Sequence, residues 1–296
     1  MVESLSIVGA GRVGRALGRR LHELGWKIGM VCASSESSAR RAVRFIGAGK
    51  PHAGLTAQVL ASKVVLLTVP DDAIAMVAGE LARIGGEEWR GLILLHTSGA
   101  LDSGVLSPLR SCGAAVGSMH PLQSFSGVGT PPLEGRVFGI EGDEPAVRVA
   151  RGIARAVEGT PIRLTAAKKA LYHAALAFAA GHLLAMEEAG VQLLMSAGIK
   201  RAAATKALLA LSRQVLDNCE KLGPHYAWTG PLSRGDYGVV ASHEEALQQR
   251  QPEFLEAYQS VSRLAARVLS QDGETMLKAL QTISERAQVS PKTKGR

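Results

Sequence analysis

A doubly wound parallel α/β sheet followed by an all-α domain is the fold class this sequence predicts, and three observations carry that prediction. Short apolar, β-branched runs alternate with helix-length amphipathic stretches through the first half of the 296 residues, the pattern of successive βαβ units. Between the first run and the first helix stands Gly9-Ala10-Gly11-Arg12-Val13-Gly14, a GxGxxG in the frame where such a motif binds a dinucleotide. After Thr165 the apolar period becomes helical and stays so to about Val289, with breaks expected at Gly223-Pro224, Gly230-Pro231 and Pro252. The expected division is a dinucleotide-binding Rossmann domain over 1–162, a helical substrate and dimerisation domain over 163–290, and a basic, disordered tail over 291–296.

The runs SLSIV, WKIGMV, KVVLLTV, GLILLHT, AAVGSM and RVFGIEG supply the strands. After the first, Val13, Leu17, Leu21 and Leu24 keep helical spacing and Gly25 stops the helix. The three glycines divide three tasks: Gly9 makes the tight turn, Gly11 lets the backbone approach a pyrophosphate, and Gly14 lets helix pack on strand. Free amides at the helix start then meet the anion, so Gly9, Ala10, Gly11, Arg12, Val13 and Gly14 are expected to bind the cofactor.

The end of the second strand chooses the nucleotide. An NAD site carries an acidic residue there for the ribose 2′-hydroxyl; this chain has Ser34 and Ser35, with Arg40 and Arg41 beyond and Glu36 expected in the loop. Serine donors and a guanidinium suit a 2′-phosphate, which predicts NADP (NADPH) as cofactor, with Ser34, Ser35 and Arg40 as contacts. A reduced deazaflavin, which related folds bind, is the alternative. Further contacts are expected at Val69 and Pro70, where the third predicted strand ends, and at Ser98. Asp71 or Asp72 is expected to cap the next helix, and His96 to be buried and hydrogen-bonded.

A formal net charge of +8 favours anionic partners. Nucleic acid is not expected among them, because only 4% of residues are aromatic and no basic aromatic platform or reader motif is present. Cys32, Cys112 and Cys219 lie far apart, which predicts no disulfide framework and no metal site and suits a cytoplasmic location. The opening MVESLSIVGAG becomes a strand at once, so no export signal is expected. No membrane span is expected either, since His182, Glu187 and Glu188 interrupt the alanine-rich stretch.

VPDDAI, HTSGAL, GSMHPLQSF at 117–125, KALYHAA at 169–175 and TGPLSRGD at 229–236 follow one another in an order and spacing that resembles a bacterial family. That family joins a Rossmann-like NADP-oxidoreductase domain to a C-terminal domain of unknown function 2520. More distantly the layout is similar to pyrroline-5-carboxylate reductase, ketopantoate reductase, and the 3-hydroxyacid and 6-phosphogluconate dehydrogenases. The resemblance implies a 6-phosphogluconate dehydrogenase-like helical domain, a homodimer through that domain, and an NADP-dependent oxidoreductase acting on a small anionic keto acid, hydroxy acid or imine. It names no substrate. A non-catalytic NADP-responsive binding protein is the alternative.

In the hydroxyacid dehydrogenases a lysine, followed four residues later by asparagine, lies on the first long helix of the second domain. Lys169 and His173 keep that spacing, one helical turn apart on a face of small residues expected to leave room for a ligand, and are the expected catalytic pair. An ammonium can stabilise the charge that hydride arrival leaves on a carbonyl oxygen, and imidazole titrates near neutrality. His120, Gln123 and Ser124 are expected to present donors to substrate, and Arg234 with Asp236 to form a carboxylate clamp and its orienting partner. Gly181-His182 stands where the family is expected to carry Ser-Asn.

Overall fold

The computed structural model describes residues 4–127 and 129–289; the predicted tail over 291–296 lies outside them. Two compact units divide between Ala179 and Ala180.

The first unit is built on one eight-stranded sheet of order β3-β2-β1-β4-β5-β6-β7-β8. Its strands are β1 (Ser4–Val8), β2 (Lys27–Ala33), β3 (Lys50–Ala53), β4 (Val64–Leu67), β5 (Ile93–His96), β6 (Ala115–Pro121), β7 (Val137–Gly142) and β8 (Thr160–Arg163). The helices between them are α1 (Arg12–Glu23), α2 (Glu36–Ile46), α3 (Asp71–Gly85), α4 (Ser107–Ser111) and α5 (Glu144–Ala156). All six predicted strands form, and β3 and β8 join them at the two edges. Every pairing is parallel except β6 with β7. Among its described residues the linker from Pro121 to Val137 holds no helix to carry the chain back across the sheet, so β7 returns alongside β6 in the opposite sense.

Alternation along the central strands covers both faces. Leu5, Ile7, Val64, Leu66, Ile93 and Leu95 pack with Leu17 and Leu21 of α1, Ile46 of α2 and Ile153 of α5. Val8, Val65, Leu67 and Leu94 pack on the other side with Ile74, Val77 and Leu81 of α3 and Leu109 of α4. Each such fully buried aliphatic side chain contributes roughly 1.5–3 kcal/mol, so the carboxyl ends of these strands sit on a stiff platform.

From Lys169 the chain is helical: α6 (Lys169–Ala177), a wider π-type turn over Phe178–His182, then α7 (Leu183–Ser196). The compact units divide inside that turn rather than after residue 162, because Lys169 inserts into the first unit and is 1% exposed. The second unit continues with α8 (Arg201–Leu222), α9 (Pro224–Ala227), α10 (Tyr237–Arg250), α11 (Leu255–Leu269) and α12 (Gly273–Val289), broken at the three expected prolines. Its core, Val240, Ala266, Met276, Leu280 and Ile283, ties α10, α11 and α12 together.

One expectation about this helical stretch changes. By length and composition alone Ala166–Ser196 is apolar enough to cross a membrane, with a mean hydropathy of 1.2 in its most apolar window. Isolated charges such as Glu187 and Glu188 are diluted in such a window. Lys169, near its start, is buried in the first unit.

Candidate active site

The glycine loop takes the form its sequence predicts. Gly9 has φ +97, a left-handed conformation that glycine adopts without steric cost, and the Gly9 and Ala10 amides donate to the Cys32 carbonyl at 3.0 and 3.2 Å. An added Cβ at Gly14 would collide with Thr68 Oγ1 and stand 2.6 Å from the Gly9 carbonyl, whereas at Gly11 the nearest atom would be 3.9 Å away. The second glycine is therefore open where a pyrophosphate would approach, and no acidic residue sits in the first turn of α1. Arg12 is exposed beside this opening, its side chain close to Gly127. Val13 is half-buried against the core, and Val69 and Pro70 follow β4, which lies two strands from β2. These residues fit a dinucleotide phosphate.

At the end of β2 two details differ from expectation. Glu36 is the first residue of α2 rather than part of the loop, and it holds Arg40 in an exposed ion pair at 2.8 Å. Arg41 is the better-placed guanidinium: its Nη2 donates to Ser38 Oγ at 3.0 Å, and Ser35 Oγ lies 3.0 Å from the same hydroxyl. Ser35 also caps α2, accepting from the Ser38 amide, and Ser34 is exposed beside it. A 2′-phosphate meeting this cluster finds hydroxyls and an arginine fork.

The second constellation gathers at the ends of β5 and β6. His96 is buried as expected; its Nδ1 accepts from the Ser98 amide at 3.2 Å, which leaves Nε2 to donate to the Asp102 carbonyl at 3.3 Å. Ser98, expected to touch the cofactor, is instead an internal hub. Its hydroxyl donates to Asp71 Oδ2 at 2.8 Å and accepts from the Ala100 and Leu101 amides, and its carbonyl accepts from Lys169 Nζ at 2.8 Å. Asp71 thus serves Ser98, while α3 starts without a side-chain cap.

The room expected above Lys169 is filled. Its ammonium is buried and donates to Ser98 O and, at 2.7 Å, to Ser118 Oγ, tying the end of β5 to β6. Burial pulls its pKa down to about 8, against the opposing pull of Glu141, Asp71 and Asp102. Glu141, also buried, accepts from the Ser103 amide and hydroxyl at 2.7 and 2.9 Å and so anchors the loop after β5.

One helical turn on, His173 is exposed and faces His120, ring centroids 6.1 Å apart at 78°. His120 Nδ1 lies 3.0 Å from the Tyr172 hydroxyl. Burial, then Lys169, then His173 lower the His120 pKa to about 4, and burial raises that of Tyr172 to about 12. Both rings close over Gly99, where an added Cβ would be 2.6 Å from His173 Cδ2 and 2.9 Å from His120 Cε1 and Nε2.

The other predicted residues bond to near neighbours in their own loops. The Gln123 amide is engaged within its own loop, donating to the Pro132 carbonyl at 2.7 Å and accepting from the Ser124 amide, so it staples the linker rather than presenting donors. Ser124 is exposed. Arg234 and Asp236 form the expected pair, Nε to Oδ2 at 3.0 Å, on the surface of the second unit. Tyr172, Ser118, Glu141 and Gly99 were not expected in the site; the serine and the glycine stand inside the quoted GSMHP and HTSGAL motifs, which was the available signal.

Residues 2–121 match the model of a Rossmann-like domain, and residues 136–265 match that of domain of unknown function 2520. No curated protein is matched. Among solved structures, BF3122 of Bacteroides fragilis, assigned as an NADP oxidoreductase, superposes with a TM-score of 0.71 at 21% identity over 88% of this chain and 96% of its own. A pyrroline-5-carboxylate reductase of Coxiella burnetii gives 0.55 at 16% identity over 97% and 98%. A reductive aminase of Aspergillus terreus, in complex with NADPH and ethyl levulinate, gives 0.60 at 18% identity over 97% and 94%. The chain thus joins a Rossmann-like domain to a domain of unknown function 2520.

Proposed function

We propose that the protein is an NADP-dependent oxidoreductase that transfers hydride between NADP(H) and a small anionic keto acid, hydroxy acid or imine. One observation carries this: the glycine loop follows β1, the Ser98-Gly99 turn follows β5, and His120 lies near the end of β6, in a sheet where β1, β4, β5 and β6 are adjacent and parallel. Their carboxyl ends share one edge, where ligands of such sheets bind. β1 and β5 are two strands apart, about 10 Å, a span that an extended dinucleotide covers. When bound, the cofactor supplies the two-electron chemistry; Gly11, the start of α1 and the Ser35–Arg41 cluster hold it. Of the expected pair, His173, exposed beside Gly99, is the residue that serves the reacting carbonyl or imine, and Lys169, its ammonium held by Ser98 and Ser118, positions the wall of the site. The NADP-linked neighbours support the same function.

Purified protein is expected to bind NADPH at least tenfold more tightly than NADH, and Arg41→Ala to remove most of that preference while leaving NADH affinity unchanged, since a charged hydrogen bond contributes about 1.5–3 kcal/mol. Titration by nicotinamide fluorescence measures both. Equal affinities, or an unaffected variant, refute the assignment of the phosphate site. Turnover is read as loss of NADPH absorbance against keto acids and cyclic imines; binding without turnover of any of them favours an NADP-responsive binding protein.

A homodimer through the second unit belongs to the same proposal. Val191 and Ala204 are the buried residues of α7 and α8, while Leu184, Leu211, Leu216 and Leu222 are 55–68% exposed, an apolar surface that a second copy would cover. Light scattering is expected to give twice the chain mass, and Leu211→Glu with Leu216→Glu to give monomer; a monomeric wild type refutes it. Cytoplasmic location fits three free cysteines.

A further inference from the structure

The two ring nitrogens of His120 have different surroundings. Nδ1 meets the Tyr172 hydroxyl at 3.0 Å; Nε2 forms no hydrogen bond among the described residues and is turned toward Gly99. Tyr172 has no other hydrogen-bond partner among the described residues, and its phenol stays protonated because burial raises its pKa. If Nδ1 carried the ring proton, it would donate to the phenol oxygen and leave the phenol proton without an acceptor. Donation from the phenol to Nδ1 satisfies both groups and puts the ring proton on Nε2, the nitrogen turned toward Gly99.

The ring is also kept uncharged by its neighbours. Lys169, Tyr172 and His173 from α6 and His96 from β5 face it, while Asp71 from α3, Asp102 from the loop after β5 and Glu141 from β7 act on the Lys169 ammonium. Lys169 is the nearest fixed cation and disfavours a second positive charge on the imidazole.

We propose that His120, fixed as its Nε2–H tautomer by the Tyr172 hydroxyl, is the donor that binds the substrate's acceptor atom above Gly99, and that Tyr172 and Lys169 are positioning residues acting through it. It rests on the oxidoreductase function proposed above and narrows the substrate. A neutral N–H needs a lone pair, which a carbonyl oxygen or the nitrogen of a neutral imine offers and a protonated iminium does not. The site is built for an acceptor rather than for a cation.

The tautomer is read in the full chain without cofactor, so the test does not depend on turnover or on NADPH binding. With 15N-labelled histidine, the His120 signals are expected to report an unprotonated Nδ1 and a protonated Nε2 from pH 5 to 8. Tyr172→Phe is expected to collapse this to a mixture, and Lys169→Gln to move the His120 titration at least one pH unit toward ordinary imidazole, while Lys169→Arg keeps it low. Pyruvate, as a carbonyl probe, is expected to shift the Nε2 signal. A protonated Nδ1 or an ordinary titration in the wild type overturns the proposal with no variant needed. A Lys169→Gln protein whose His120 titrates unchanged removes the role assigned to Lys169. If these outcomes hold while NADPH does not bind, the donor stands and the oxidoreductase assignment fails.

Discussion

Gly99→Ala is expected to lower turnover at least a hundredfold while NADPH affinity stays within twofold. The backbone at Gly99 is not in the left-handed region, so alanine brings no torsional strain; the whole effect is the added methyl. That atom would stand 2.6 Å from His173 Cδ2 and 2.9 Å from two atoms of the His120 ring, closer than carbon contacts allow. His173 is exposed and can swing away. His120 is held by Tyr172 and cannot move without breaking that hydrogen bond. A displacement of about 1 Å in a reacting constellation costs about a hundredfold in rate, and the local overpacking costs about 1–3 kcal/mol of stability. Steady-state kinetics, NADPH titration and urea unfolding separate the three quantities. Unchanged kinetics in a folded variant would place the reacting atom elsewhere than over Gly99.

The nucleotide half of the site was legible because each demand there selects a residue type. A tight turn, an open approach and a close helix–strand contact each need glycine, and Gly9, Gly11 and Gly14 meet those needs in three different ways. Central strands were legible because burial on both faces leaves continuous apolar runs such as VVLL in β4 and Ile93-Leu94-Leu95 in β5. The edge strands KPHA and TPIR were not, since each is four residues long and contains a proline, which an edge tolerates. The reversal at β7 was invisible because direction is set by how the linker returns, and strand residues do not encode it.

For the second constellation, spacing told which residues share a face of α6 but not what stands against that face. Lys169 was read as a charge beside open room; tertiary packing brings Ser98 and Ser118 onto its ammonium. Asp71 carries the same lesson. Its place at a helix start suggested a cap, and only the approach of β5 shows that its partner is Ser98. The arginine choice at the end of β2 turned on one ion pair: Glu36 occupies Arg40 and leaves Arg41 to the serines.

Acidification from pH 7 to pH 4 is expected to remove several kcal/mol of stability through two buried imidazoles, one of them in the site itself. His96 and His120 are neutral in the folded chain with pKa values lowered to about 4, in each case by burial first and Lys169 next. In the unfolded chain both return to an ordinary value of about 6.5. Between those limits the unfolded state binds the extra protons, so stability is full above about pH 6.5 and falls as pH drops toward 4. A shift of about 2.5 pH units corresponds to roughly 3 kcal/mol for His96, and to less for the partly exposed His120. Lys169 acts at the other end. Its folded pKa of about 8 lies below the ordinary 10.5, so the unfolded state again holds the extra proton, and stability rises from pH 8 to 10.5. Urea midpoints should therefore climb from pH 4 to a plateau near pH 7, and above pH 8 the upper step from Lys169 runs against the loss from the buried Cys32 thiol, raised to about 11, so it is read as the part that a Lys169 variant lacks. Lys169→Met should abolish the upper step and shrink the lower one, because the cation that helps to keep both imidazoles neutral is gone. A lower step unchanged in that variant would mean that burial alone keeps the histidines neutral, and that the ammonium serves only to tie β5 to β6.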